Sequence, residues 1–298
     1  MAGRTWLEVA LNGGWTRMRQ PRIPVSVEEI VADGIACVRA GAAIVHLHAY
    51  DAASGRQRDD AEIYARIIGG IRDKVDAIVY PTIDGAVAPG AELSKTGAER
   101  YRAIEDLARH GLLEWSVVDP GTVNFSTYGA IARDRPGTVY MNPESDVRHG
   151  LALAARHGFH PSYAIYEPGF LRLGAALAQR HAGLKTPIYR LMFSDGFTFG
   201  FPPRDYALDA YLALLREHAP GAPWMVAGLM VEVSGLIARA VALGGHLRVG
   251  LEDAPLGSAK GNLELVTEAA AAIAGAGGAL ATAAEVRQAL AEASTPGT

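Results

Sequence analysis

The sequence predicts a single-domain (β/α)8 barrel, and three observations carry that expectation. Short apolar, β-rich runs alternate with longer stretches of helical periodicity. The alternation occurs eight times, and no linker-like composition interrupts it over the 298 residues. Parallel strands joined by helices form either a closed barrel or an open doubly wound sheet. Eight units in a chain of this length favour the barrel, and the open sheet stands as the alternative.

The first strand is read at residues 6–11. Ser26 then opens a helix as N-cap, Glu29 completes a capping box, and the helix stops at Gly41. A second strand at 43–48 precedes a helix within DDAEIYARIIGGIRDKV, and a third at 77–81 precedes a helix at 98–110. After a fourth strand at 115–119 comes a long loop, PGTVNFSTYGAIARDRPGTVYM. The following helix has Asn142 as cap and Pro143 in its first position. Strands at 162–166, 188–193, 224–228 and 246–251 come next. Their helices begin at Gly169, lie within PRDYALDAYLALLREHA, and span 234–243 and 262–274. A helix at 283–293 is extra to the eight units.

Composition narrows the function classes. Lys plus Arg number 28 against 32 Asp plus Glu, a net charge of −4, which leaves no electrostatic footprint for nucleic acid. No window approaches the run of about 20 apolar residues that a membrane span needs. MAGRTWLEVAL is too short in its apolar part for a signal peptide. Cys37 is the single cysteine, so no internal disulfide forms, as suits a reducing compartment; a cytoplasmic protein is expected.

Chemistry is expected where barrel strands end at their C-termini. Residues 43–49 read AIVHLHA, and side chains two apart on a strand share a face, so His46 and His48 point together. They are metal ligands or two hydrogen-bonded core histidines. A catalytic zinc site needs a third ligand and an open position, and His₂Glu is a known set. Glu252, in GGHLRVGLEDAP, shares parity with His246, Arg248 and Gly250. In a closed barrel, strands eight and two both flank strand one, which brings Glu252 toward the histidines. The alternative is that Glu252 and Asp253 form a solvated loop pair. Arg248, pointing inward, needs Glu252, Asp253 or a bound anion as partner. Thr82, in YPTIDG, ends the third strand, where a threonine can cap the next turn. SKTG lacks the spacing of a phosphate loop, and GAGG follows a helix, so neither reads as a nucleotide motif.

The chain resembles the β-keto acid cleavage enzymes, whose first characterised activity acts on 3-keto-5-aminohexanoate. The resemblance is carried by PRIPVSVEEI, AGAAIVHLHAYDAASG, GTVNF, WMVAG and GGHLRVGLEDAP with GNLELV. It implies a zinc-dependent barrel, often a homotetramer, that converts a β-keto acid and acetyl-CoA into acetoacetate and a new acyl-CoA. It implies His46, His48 and Glu252 as zinc ligands, Asp253 as general base and Arg248 as the residue orienting it. Asn12, Trp15 and Thr82 are implied as substrate contacts.

Four departures stand out. NGG is followed by Trp15, which cannot neutralise an ammonium, although a cation–π contact to a quaternary ammonium is open to it. Ala164 stands where a glutamate is usual. TIDG introduces Asp84 in place of STGG. Met230 and Val231 replace a glycine–arginine pair. Trp15 and Ala164 imply a substrate with a less charged, bulkier or apolar tail, and the four together imply a divergent branch with an altered substrate or acyl acceptor. Arg17, Arg19 and Arg22 either serve the CoA phosphates or form a solvated loop. A metal-dependent carbon–carbon lyase without CoA and a non-catalytic binding barrel are the competing readings.

Overall fold

The computed structural model of the chain describes residues 4–51, 53–83, 86–87 and 94–293. Eight parallel strands form the centre: β1 Leu7–Ala10, β2 Ile44–Leu47, β3 Ile78–Pro81, β4 Trp115–Val117, β5 His160–Ile165, β6 Ile188–Phe193, β7 Trp224–Gly228 and β8 His246–Val249. Their order around the sheet is β3-β2-β1-β8-β7-β6-β5-β4. Seven seams are hydrogen-bonded ladders; at the eighth, the Tyr80 and Trp115 rings meet with centroids 5.8 Å apart. The sheet is thus a nearly closed barrel with helices between its strands, as the alternation predicts. Seven of the eight strands are apolar over most of their length because both faces are covered; β8, reading HLRV, is half apolar.

β1 lies between β8 and β2, with Glu8 beside Arg248 and Ala10 beside His46 in register. That placement joins two motifs 200 residues apart in the chain. The helix Val27–Arg39 carries the expected reciprocal capping box of Ser26 and Glu29. At the opposite end, Arg287 of the closing helix Ala283–Ala293 binds Glu114 and Asp76, which fixes that helix under the barrel. One continuous apolar core runs from Trp6 to Leu290.

Three expectations need correction. The helix read at 98–110 is split at Tyr101 into Gly97–Arg100 and Arg102–Arg109. Asn142 does not cap its helix: its Oδ1 accepts from Arg100 at 2.7 Å, its Nδ2 donates to the Gly121 carbonyl at 3.0 Å, and Pro143 precedes the first helical residue, Glu144. The segment read as a long loop contains strands Val123–Phe125 and Thr138–Tyr140 and a short helix, Tyr128–Ile131. Thr138–Tyr140 is the centre of an antiparallel sheet whose third strand is Ala86–Val87. Three-residue strands are too short for a period of two to show, and one partner lies some fifty residues away. This small sheet covers one side of the barrel mouth. No helix among the described residues is long and apolar enough to cross a membrane.

Candidate active site

His46 lies in β2 and His48 just beyond it. Both rings face the same side, nearly perpendicular, with centroids 5.4 Å apart. Their Nε2 atoms stand 3.4 and 3.6 Å from the same carboxylate oxygen, Oε2 of Glu252. Nothing else binds these atoms: Nε2 of His48 and Oε2 of Glu252 are buried and without a hydrogen-bond partner among the described residues. Buried polar groups are normally satisfied, so three convergent ligand atoms, two of them left without partners, fit a divalent cation.

Glu252 arrives by a turn and not by strand alternation. β8 ends at Val249, two residues earlier than the sequence suggests. Gly250 then adopts φ +142°, where an added Cβ would lie 2.1 Å from the Ala10 carbonyl oxygen, so only glycine fits. The turn closes with Asp253 and Ala254 N–H donating to the Gly250 carbonyl, and Glu252 N–H donating to Ala10.

Several residues hold the ligands in place. Gln57 Oε1 lies 2.8 Å from Nδ1 of His48, and Gln57 Nε2 donates to Asp59, which also accepts from Tyr64. With Nδ1–H on Gln57, the His48 Nε2 lone pair faces Glu252. Asn12 is fully buried and committed to backbone: it accepts from His48 N–H and donates to the His48 and Pro24 carbonyls. It therefore fixes His48 from behind and is not part of the cavity wall. The Trp15 indole N–H donates to the Glu252 carbonyl at 2.8 Å, while its ring lines the cavity. Gly13, at φ +60°, passes so close that a Cβ there would lie 2.6 Å from Cγ of Glu252.

Electrostatics favour the ligand forms of His46 and Glu252. Burial holds His46 well below the usual imidazole pKa, so its ring is neutral. Burial opposes charge on Glu252, yet Arg248 and the two histidines outweigh it and hold the carboxyl well below its usual range. For His48, burial is outweighed by the Glu252 charge and the Gln57 contact, which raise its pKa.

Arg248 is buried among three carboxylates. It grips Asp253 through Nε and Nη2 at 2.9 Å each, reaches Glu252 at 2.7 Å and Glu8 at 3.1 Å. Tyr80 O–H also donates to Glu8. Burial pushes the Asp253 carboxyl up to about 6 against the pull of Arg248. Asp253 sits behind Glu252, and it lines a separate, mainly apolar cavity of about 260 Å³ beside Val231 and Leu265.

His46, His48 and Glu252 open onto a cavity of about 480 Å³. Thr82 is on its wall, its hydroxyl 3.2 Å from the Ile83 carbonyl. Arg19 stands at the rim with its guanidinium 4.8 Å over the Trp15 ring, so that aromatic face already carries a cation. Arg17 pairs with Glu29 and Arg22 with Glu264. The far wall holds Asp119, Tyr140 and Arg190. Asp119 accepts from Tyr140 O–H and from Ala164 N–H, each at 2.6 Å, and burial raises its pKa despite Arg190. Met230 adopts φ +57°, the left-handed region that suits the glycine of the resembled pattern, and Val231 N–H donates to the Asp253 carbonyl. Asp84 lies outside the described residues.

Gln57, Asp119, Arg190 and Glu8 escape the sequence reading. Glu8 in WLEVAL and Arg190 in PIYRLMF carried a usable signal: a lone charge inside an apolar strand needs a buried purpose. Gln57 carried none, because a short hairpin delivers it.

Comparison with known proteins bears on the fold and the family. The chain is 29% identical to the 3-keto-5-aminohexanoate cleavage enzyme of Fusobacterium nucleatum subsp. nucleatum, over 80% of this chain and 78% of that protein. It is 28% identical to the 3-oxoadipate:acetyl-CoA acetyltransferase of Cupriavidus necator, over 83% and 79%. Its fold matches that of apo ObcA with a TM-score of 0.71 at 18% identity, covering 91% of this chain and 66% of ObcA. The family description "beta-keto acid cleavage enzyme" matches residues 4–291. The chain belongs to the beta-keto acid cleavage enzyme family.

Proposed function

We propose that the protein converts a β-keto acid and acetyl-CoA into acetoacetate and a new acyl-CoA, with zinc held by His46, His48 and Glu252. The observation that carries this is the convergence of three buried ligand atoms, two of them without partners, on one cavity wall. A bound divalent ion would act as a Lewis acid toward the substrate oxygens and acidify the C–H between the two carbonyls.

Asp253 accepts that proton on its carboxylate. In the resting arrangement both its oxygens are engaged by Arg248. Asp253 turns toward the substrate while Arg248 stays anchored through Glu8 and Glu252. The carbanion at C2 attacks the acetyl thioester and expels CoA thiolate. The thiolate then attacks the original keto carbon, the C2–C3 bond breaks, and Asp253 returns its proton to C2 of acetoacetate. Thr82 hydrogen-bonds the substrate carboxylate, and Trp15 shapes the wall. Arg19 is the cation at the rim available to CoA phosphates, since Arg17 and Arg22 are paired with glutamates. The working assembly is a homotetramer in the cytoplasm.

The test is a panel of β-keto acids, each with and without acetyl-CoA, scored for acetoacetate. Acetoacetate formed only with acetyl-CoA is the expected result. Cleavage that proceeds without acetyl-CoA would establish the lyase reading instead.

A further inference from the structure

We propose that Arg190 sets substrate choice by binding a carboxylate at the end of the keto acid remote from the metal ligands, so that the substrates are β-keto dicarboxylates. This rests on the reaction proposed above and adds the class of its substrate.

Arg190 lies inside β6, with its side chain directed into the barrel and only 3% of the residue exposed. In the strand order, β6 stands four places from β2 in a ring of eight. Arg190 therefore faces His46 from the opposite wall of the same cavity. Its Nη2 donates to the Ser162 carbonyl at 3.2 Å and lies 3.4 Å from Asp119. Its Nε is buried without a partner among the described residues. Leaving donors of a buried guanidinium unmet is costly, and a ligand that meets them repays that cost.

Asp119 does not use up the cation. Its oxygens already accept two short hydrogen bonds, from Tyr140 and Ala164, and its distance to Arg190 is long. Ala164, the register partner of Arg190, offers only a methyl group and no partner for the guanidinium. The surrounding wall is aromatic, with Phe125, Tyr166 and Phe197 suited to a methylene chain. The planar fork of a guanidinium matches a carboxylate in two-point contact. A keto acid held at the β2 wall by its own carboxylate and keto oxygen sends its tail across the barrel toward Arg190. The apolar tail implied by Trp15 and Ala164 alone leaves the Nε donor of Arg190 unanswered.

The experiment uses two β-keto acids of equal chain length, one ending in a carboxylate and one in a methyl group. Binding is measured by calorimetry without acetyl-CoA, and acetoacetate formation is measured with it. Wild type is expected to favour the carboxylate-ended acid by at least about tenfold in Kd and kcat/KM, the scale of one charge-assisted hydrogen bond. Arg190→Gln is expected to bring the ratio close to unity, and Arg190→Lys to restore part of it. Should Arg190→Gln fold poorly, the paired Arg190→Gln/Asp119→Asn variant leaves the wall neutral and reads the same ratio. Equal affinity in wild type, or a preference that survives Arg190→Gln, overturns the proposal. A binding preference without acetoacetate from either acid overturns the reaction and leaves the role of Arg190 standing.

Discussion

Arg248 holds Asp253 in a two-pronged pair, Nε to Oδ2 and Nη2 to Oδ1, both at 2.9 Å. A lysine ammonium cannot reproduce that planar fork. Arg248→Lys is therefore expected to lower kcat on the order of 10²-fold, the cost of a misplaced catalytic group. Arg248→Met leaves Glu8, Glu252 and Asp253 buried without their cation and is expected to cost about 3–5 kcal/mol in urea unfolding. A lysine variant with wild-type kcat would show that Asp253 needs no such orientation.

The candidate ligands His48 and Glu252 are held by neighbours outside the trio itself. Trp15→Phe keeps the ring and removes the hydrogen bond to the Glu252 carbonyl; Gln57→Leu removes the partner of His48 Nδ1. Each is expected to weaken metal binding about 10–100-fold, read by competition with a chromophoric chelator. Unchanged affinity in both variants would mean the three ligands position themselves.

Gly13 is a sterically tight position. Gly13→Ala introduces a Cβ 2.6 Å from Cγ of Glu252 at a backbone φ of +60°. The expected cost is about 1–3 kcal/mol of stability, together with weaker metal binding. A variant as stable as wild type and equally tight for metal would show that the loop yields freely.

Glu29 gives a pH signature remote from the site. Its carboxylate is hydrogen-bonded by Arg17 and by the N–H groups of Ser26 and Val25, which lower its pKa from 4.5 to about 2. A folded-state pKa below the unfolded one contributes stability that is fully present above pH 4.5 and lost as pH falls toward 2. The group is partly exposed, so solvent screening keeps the contribution small. Glu29→Gln is expected to cost about 1 kcal/mol at neutral pH, a typical capping value. That gap should narrow steadily below pH 4.5 in thermal melts. A gap independent of pH would assign the effect to packing.

The barrel was legible because each long helix and strand carried its own period, and strand count fixed which ends meet. His46 and His48 were legible by parity. Glu252 was found by the same parity for a different physical reason: Gly250 breaks the strand, and a turn delivers the carboxylate. Asn12 reads as a substrate contact from its motif, but three backbone hydrogen bonds consume its amide. The small sheet over the mouth left no pattern, since its strands of two or three residues pair across separate segments. Asp119 and Arg190 meet only through the register of β4, β5 and β6, which no local window contains.

The most direct test of the central claim is the metal content of purified protein after chelation and reloading with zinc. Wild type should retain a stoichiometric ion through gel filtration, while His46→Ala, His48→Ala and Glu252→Gln should each lose it. A folded wild type that retains no ion, or a Glu252→Gln variant that retains as much as wild type, would contradict the assignment.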